Sequence, residues 1–131
     1  MPVELKRAYD SPEPGDGSRY LVERLWPRGV KKDALSFKAW LKELAPSTEL
    51  RRWYNHDPER WPEFTRRYRE ELANPDAQDT LERVAEEARH ETVTLVLSTR
   101  EVEWSGAKFL ASVIEELVSK RPSGTGQRKK R

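Results

Sequence analysis

The run Thr92-Val93-Thr94-Leu95-Val96-Leu97-Ser98 constrains this chain more than any other segment. It is apolar at nearly every position after its start, so its side chains cannot be sorted into a dry face and a wet one. A strand exposed on one side would alternate. An unbroken apolar run suits a strand covered on both faces, as in α/β proteins. Helical patterns stand before and after it, which predicts an α/β layer fold.

Two further strands are expected near the N-terminus. Val3-Glu4-Leu5-Lys6-Arg7-Ala8-Tyr9 alternates apolar and polar residues, the pattern of a strand with one wet face. Asp10 to Ser18 carries Pro12, Pro14, Gly15 and Gly17 and is a loop. Tyr20 to Trp26 then forms the second strand, stopped at Pro27. The pairs Leu21/Leu25 and Val22/Trp26 also fit a helical stripe, but the β-rich composition favours the strand.

The middle of the chain reads as helical. Phe37, Trp40, Leu41 and Leu44 form an i, i+3, i+4, i+7 stripe behind a Ser36 cap, ended by Pro46. Ser47 caps a short turn holding Leu50, Trp53 and Tyr54. Asp57-Pro58 opens a helix with Trp61, Phe64, Tyr68 and Leu72 on its buried face and Arg66, Arg67 and Arg69 turned away; Pro62 marks an alternative start. Asn74-Pro75 closes it. Asp79, with Glu82 three residues on, opens a helix that buries Leu81, Val84, Ala85 and Ala88. A last helix follows a Ser105 cap, with the stripe Leu110, Val113, Ile114 and Leu117 and a hydrophobic staple between Trp104 and Phe109. The sum is a single α/β domain over residues 1–119: a small, mainly parallel sheet of about three strands packed with four to five helices.

Composition narrows the function classes. Leu, Ile, Val and Phe total only 26 of 131 residues, near the roughly 20% level at which disorder sets in. Five Trp and four Tyr restore the apolar area a core needs. Zero Cys excludes disulfides, zinc–thiolate sites and a thiol nucleophile. Met1-Pro2-Val3-Glu4 has no apolar leader segment, and no stretch approaches ~18 apolar residues, so the expected location is the cytoplasm, away from any membrane. Residues 120–131 carry six basic residues and no acid, leaving residues 1–119 at about −4 against a whole-chain +2. This Pro/Ser/Gly/Thr/Gln-rich tail cannot pack a core and is expected to be disordered. Nucleic-acid-binding folds are usually basic in the folded body, so this partner is not favoured.

In open α/β sheets, ligands collect beyond the carboxyl ends of the strands. Those ends offer Arg7 and Tyr9, then Arg24, Trp26, Arg28 and Gly29, then Ser98, Thr99 and Arg100. Guanidinium groups present fixed paired donors to phosphate or carboxylate, and Gly29 allows close backbone approach. Free amides at Ser105 and Gly106, opening the last helix, would favour an anion. The expected ligand set is thus Arg7, Tyr9, Arg24, Arg28, Gly29, Ser98, Arg100, Ser105 and Gly106. The competing expectation is that these Arg pair with Glu23, Glu101 and Glu103 and only tie the loops down.

Other chemistry is thinly represented. His56-Asp57 has the composition of a general-base pair, but Asp57 is already explained as a helix cap. His90 sits at a helix end, where a cation meets unpaired carbonyls. No HExxH, P-loop, GxGxxG or GxSxG pattern occurs, so neither a metal nor a cofactor is expected. Trp26 and Trp104 are the two indoles placed to line a pocket.

Val3-x-Leu5-Lys6-Arg7-Ala8-Tyr9, Leu21-Val22-Glu23-Arg24-Leu25-Trp26-Pro27-Arg28-Gly29-Val30 and Trp40-Leu41-Lys42-Glu43-Leu44-Ala45-Pro46-Ser47 occur together here. With Leu50-Arg51-Arg52-Trp53, His56-Asp57-Pro58, Trp61, Phe64, Tyr68 and Glu71-Leu72, they resemble the short bacterial members of the family called domain of unknown function 488 (DUF488). The resemblance covers residues 3–118 and excludes the tail. It implies a bacterial cytoplasmic α/β domain, and it supplies no established catalytic residue. Two departures stand out against the family pattern: Glu23 where Asp is usual, and Gly106 where Asn is usual. Three functions follow as expectations. The first is an Arg-lined pocket for a small phosphorylated or carboxylated ligand, with or without catalysis. The second is nucleic-acid association through the tail with Arg66, Arg67 and Arg69. The third is a partner-binding module without catalysis.

Overall fold

A computed structural model describes residues 3–31, 33, 35, 37–98 and 102–120. Thr99, Arg100, Glu101, Ser36 and the tail from Arg121 onward lie outside these residues. Four strands form one sheet: β1 (Val3–Arg7), β2 (Ser18–Leu21), β3 (Ala39–Trp40) and β4 (Val93–Leu97), in the order β1-β4-β2-β3. Every neighbouring pair is parallel. The apolar run is the centre of this sheet, with Leu95 opposite Leu5 on one side and Tyr20 on the other. All five of its residues are buried, as the unbroken pattern predicts.

The two faces of the sheet are covered differently. Val93, Leu95 and Leu97 join Val3, Tyr20 and Val22 beneath α1 (Thr48–Tyr54), α2 (Trp61–Glu71), α3 (Pro75–Ala88) and α4 (Gly106–Lys120). On the other face Val96 packs with Ala8, Leu21 and Leu35 under Trp26, Val30, Phe37 and Trp40, all supplied by loops and the edge strand. Beside this small apolar cluster the sheet is polar. Asp16 receives Lys6 Nζ at 3.0 Å and Arg19 Nη1 at 2.5 Å, and Thr94 Oγ1 donates to the Asp16 carbonyl at 2.7 Å. Burial opposes ionisation of Asp16, but the Glu13 amide, Lys6 and Arg19 outweigh it and hold its pKa below the usual carboxylate value.

The helix expected around Phe37–Leu44 does not form. Ala39 and Trp40 make the edge strand β3, opposite Tyr20 and Leu21, and Lys42–Leu44 is a single 3₁₀ turn. Trp40 and Leu41 serve opposite faces of the sheet, Trp40 against the loop cluster and Leu41 in the main core. That is the period of a strand, and the helical spacing of the four apolar residues is coincidental. Pairing with β2 decides it, through Leu41 N–H to the Leu21 carbonyl at 2.8 Å and Lys38 N–H to Arg19 at 2.6 Å.

Boundaries elsewhere shift for identifiable reasons. The second strand ends at Leu21, where β3 ends opposite it at Trp40, and Glu23 to Trp26 lie beyond the ladder. Helix α3 starts at Pro75 and not near Asp79, with Asn74 accepting from Ala77 N–H at 2.9 Å as its cap. Ser47 and Asp57 cap as expected, onto the amides of Leu50 and Glu59. Gly17 is required where it stands: its φ is +64°, and a Cβ there would lie 2.0 Å from the Thr92 carbonyl oxygen. Among the described residues no helix is long and apolar enough to cross a membrane.

Candidate functional site

The candidate site lies beyond the carboxyl ends of β2 and β4. Glu23 follows β2 and reaches across to accept the amide of Ser98, the first residue past the end of β4, at 2.9 Å. Arg24 turns the other way and donates to the carbonyls of Ala45 at 2.8 Å and Pro46 at 3.3 Å. These bonds hold the segment before α1 against the strand ends. Tyr68 Oη adds a bond to the Leu44 carbonyl at 2.5 Å. Burial, with the nearby charges of Glu23 and Glu71, pushes that hydroxyl far above its usual pKa, so it remains a donor.

A cleft of about 70 Å³ opens between these elements, room for a few waters or one small ligand group. Val22, Pro46, Phe64 and Ala107 give it apolar walls, and Glu23 supplies a carboxylate. Arg51 and His56 line it from α1 and the turn beyond, and Ser105 and Gly106 from the start of α4. Two of the walls are rigid: the Tyr54 and Phe64 rings stack with centroids 4.1 Å apart and 15° between planes. His56 is held by an unusual backbone, with Asn55 and His56 both in the left-handed region at φ 49° and 54°.

The hydroxyls around the cleft are already in use. Ser105 Oγ accepts the Lys108 amide at 3.2 Å and donates to the Val102 carbonyl at 2.7 Å, so it caps α4. Tyr54 Oη donates to the Trp104 carbonyl at 2.7 Å. Burial, and then the charge of Asp57, raises the Tyr54 pKa, which keeps it protonated. The amides of Gly106 and Ala107, in the first turn of α4, have no backbone acceptor among the described residues. The arrangement therefore offers fixed donors, one exposed guanidinium, one imidazole and one anchored carboxylate. It offers no hydroxyl poised as a nucleophile.

The expected ligand set divides. Ser105 and Gly106 line the cleft, and Ser98 joins it through Glu23. Arg24 lies behind the wall, engaged with the carbonyls of Ala45 and Pro46. Arg7, Tyr9, Arg28 and Gly29 form a separate group, with Arg7 over the Tyr9 ring at 4.9 Å and Tyr9 Oη on the Arg28 carbonyl at 3.1 Å. Gly29 takes φ +78° in that turn. Arg100 lies outside the described residues. Arg66 and Arg67 are paired with Glu63, Arg66 also with Glu70, and Arg69 with Glu116. Trp26 belongs to the loop cluster, while Trp104 is 39% exposed and meets Trp61 edge-on.

Sequence reasoning missed Arg51, Tyr54 and His56 as cleft residues. The spacing of Tyr54 marked a helix face but not that this face continues into a cleft. Asn55, a residue tolerant of left-handed geometry at a helix end, was the available signal for the turn that carries His56. Glu23 and Gly106 both line the cleft.

Comparison with known proteins agrees over nearly the whole length. The family model described as the inactive DUF488-N3 subclade matches residues 2–129. The chain is 43% identical over 112 residues to the uncharacterized protein Rv3073c of Mycobacterium tuberculosis, covering 86% of this chain and 92% of the relative. It is 38% identical over 117 residues to the uncharacterized protein YeaO of Escherichia coli, covering 89% and 100%. No solved structure matches. With a small parallel α/β sheet and the Arg-Leu-Trp-Pro-Arg-Gly run in place, the chain belongs to the DUF488 family.

Proposed function

We propose that the protein binds a small anionic ligand in the cleft at the start of α4, as a binding module and not as a catalyst. The observation that carries this is the pairing of two uncommitted first-turn amides with Arg51 and His56 around one space of about 70 Å³. Helix-start amides and a guanidinium both favour negative charge. The occupied hydroxyls of Ser105 and Tyr54 speak for binding, as does a family model described as inactive. Nucleic-acid association draws less support, since Arg66, Arg67 and Arg69 already face carboxylates.

The test is thermal unfolding in acetate or inorganic phosphate, with chloride at matched ionic strength. A ligand at 100 times its Kd stabilises by about 2.7 kcal/mol. Arg51 is exposed on α1, so Arg51→Ala should fold normally and lose most of the anion-dependent gain. Equal gains in chloride, or an unaltered gain in Arg51→Ala, would defeat the reading.

A further inference from the structure

The shape of the cleft depends on a side chain that is not there. A Cβ on Gly106 would lie 3.3 Å from Tyr68 Cε2, 3.4 Å from Pro46 Cγ and 3.5 Å from Phe64 Cζ. Pro46 and Phe64 are also walls of the cleft, so a side chain at 106 would press on two of its walls and on Tyr68 behind them. The walls cannot easily retreat. Tyr68 is fully buried with its hydroxyl bound to Leu44, Phe64 is stacked on Tyr54, and the Pro46 carbonyl is bound by Arg24.

We propose that Gly106 is the specificity-determining residue of the cleft, and that it admits a planar carboxylate carrying an ammonium group on the adjoining carbon, as in a small α-amino acid. The inference rests on the cleft being the anion site. A flat group fits a slot bounded by a proline and an aromatic ring. Its two oxygens would meet the amides of Gly106 and Ala107. A phosphate dianion fits less well, because it needs more donors and would face the Glu23 carboxylate. Glu23 accepts from the Ser98 amide, but an ionised carboxylate has capacity for further donors and offers none. An ammonium beside the bound carboxylate satisfies it. Arg51 at the lining then balances the one remaining negative charge.

The experiment is isothermal titration of the full chain with three probes: the free amino acid glycine, acetate and inorganic phosphate. The wild type should bind glycine roughly tenfold or more tightly than acetate. Glu23→Gln keeps an acceptor for the Ser98 amide, so it should fold and lose the preference for glycine over acetate. Gly106→Ala should bind neither carboxylate while its circular dichroism shows a folded protein, at some cost in the urea midpoint. If Gly106→Ala does not fold, the preference of the wild type and its loss in Glu23→Gln still decide the matter. Phosphate binding with glycine no better than acetate would overturn this inference and leave the anion site standing. Unimpaired glycine binding by folded Gly106→Ala would do the same. Binding of none of the three probes would overturn the anion site itself.

Discussion

Replacing Glu87 by Gln should cost the protein about 2–3 kcal/mol at neutral pH, and that cost should fade in acid. Glu87 sits on α3 with its side chain 15% exposed and receives three donors: Ser18 Oγ at 2.7 Å, Tyr20 Oη at 2.5 Å and Lys38 Nζ at 2.7 Å. Burial alone would raise its pKa. The hydrogen bonds from Lys38, Tyr20 and Ser18 outweigh burial and hold it at about 2, against 4.5 for a free carboxyl. A depression of that size corresponds to about 3 kcal/mol of stability, an upper figure because Lys38 is largely solvated. The folded value lies below the unfolded one, so this stability is complete above about pH 4.5 and is lost as pH falls towards about 2. Gln retains one acceptor but turns an amide against the ring of donors, and it cannot titrate. Urea unfolding of both proteins at pH 7, 4 and 2.5 measures the gap directly. It should be near full size at pH 7 and clearly smaller at pH 2.5. A gap that is constant down to pH 2.5, or below about 1 kcal/mol at pH 7, would show that the network does not hold the charge as described.

Two other substitutions probe the frame. Gly17→Ala places a methyl 2.0 Å from the Thr92 carbonyl at a positive φ, and it should lower stability by at least about 2 kcal/mol in urea unfolding; a change under ~0.5 kcal/mol would contradict the close approach. Arg24→Ala removes two bonds to the carbonyls of Ala45 and Pro46 and should cost about 1–3 kcal/mol, with Arg24→Lys recovering only part; full recovery by Lys would mean that charge, and not the paired guanidinium geometry, matters there.

The sequence was most legible where one physical cause acted alone. β4 is buried on both sides, so its apolar run identified it. Ser47 and Asp57 were legible as caps because short polar side chains before a helix have one strong use. The Phe37–Leu44 segment misled because four large apolar residues satisfied a helical spacing while the free edge of β2 selected a two-residue strand. For the candidate site, the general rule about strand ends pointed to the end of the sheet beside which the cleft opens, and Ser105 and Gly106 line that cleft. It could not say which way each Arg turns. Arg24 went to carbonyls because the segment before α1 left Ala45 and Pro46 without other partners, a fact of tertiary packing invisible in the local pattern. Arg51 and His56 were hidden for the same reason: their place in the cleft depends on where the end of α1 meets the start of α4.

The placement of β4 has a consequence for how the chain comes to be folded. β1 and β2 are both finished by residue 21, yet they pair with each other only through a strand that begins at Val93. On a ribosome, roughly seventy residues must follow β2 before the strand that joins the first two exists. Until then the edges of β1 and β2 have no partner within the sheet but the two residues of β3, and the apolar residues above them lack a floor. Contacts this far apart in sequence close late and slowly. The amphipathic helices α1 to α3 are made during that wait, with their caps already specified locally. Assembly of the fold is thus governed by the last third of the chain, and the nascent protein is most exposed to aggregation just before its most apolar strand arrives.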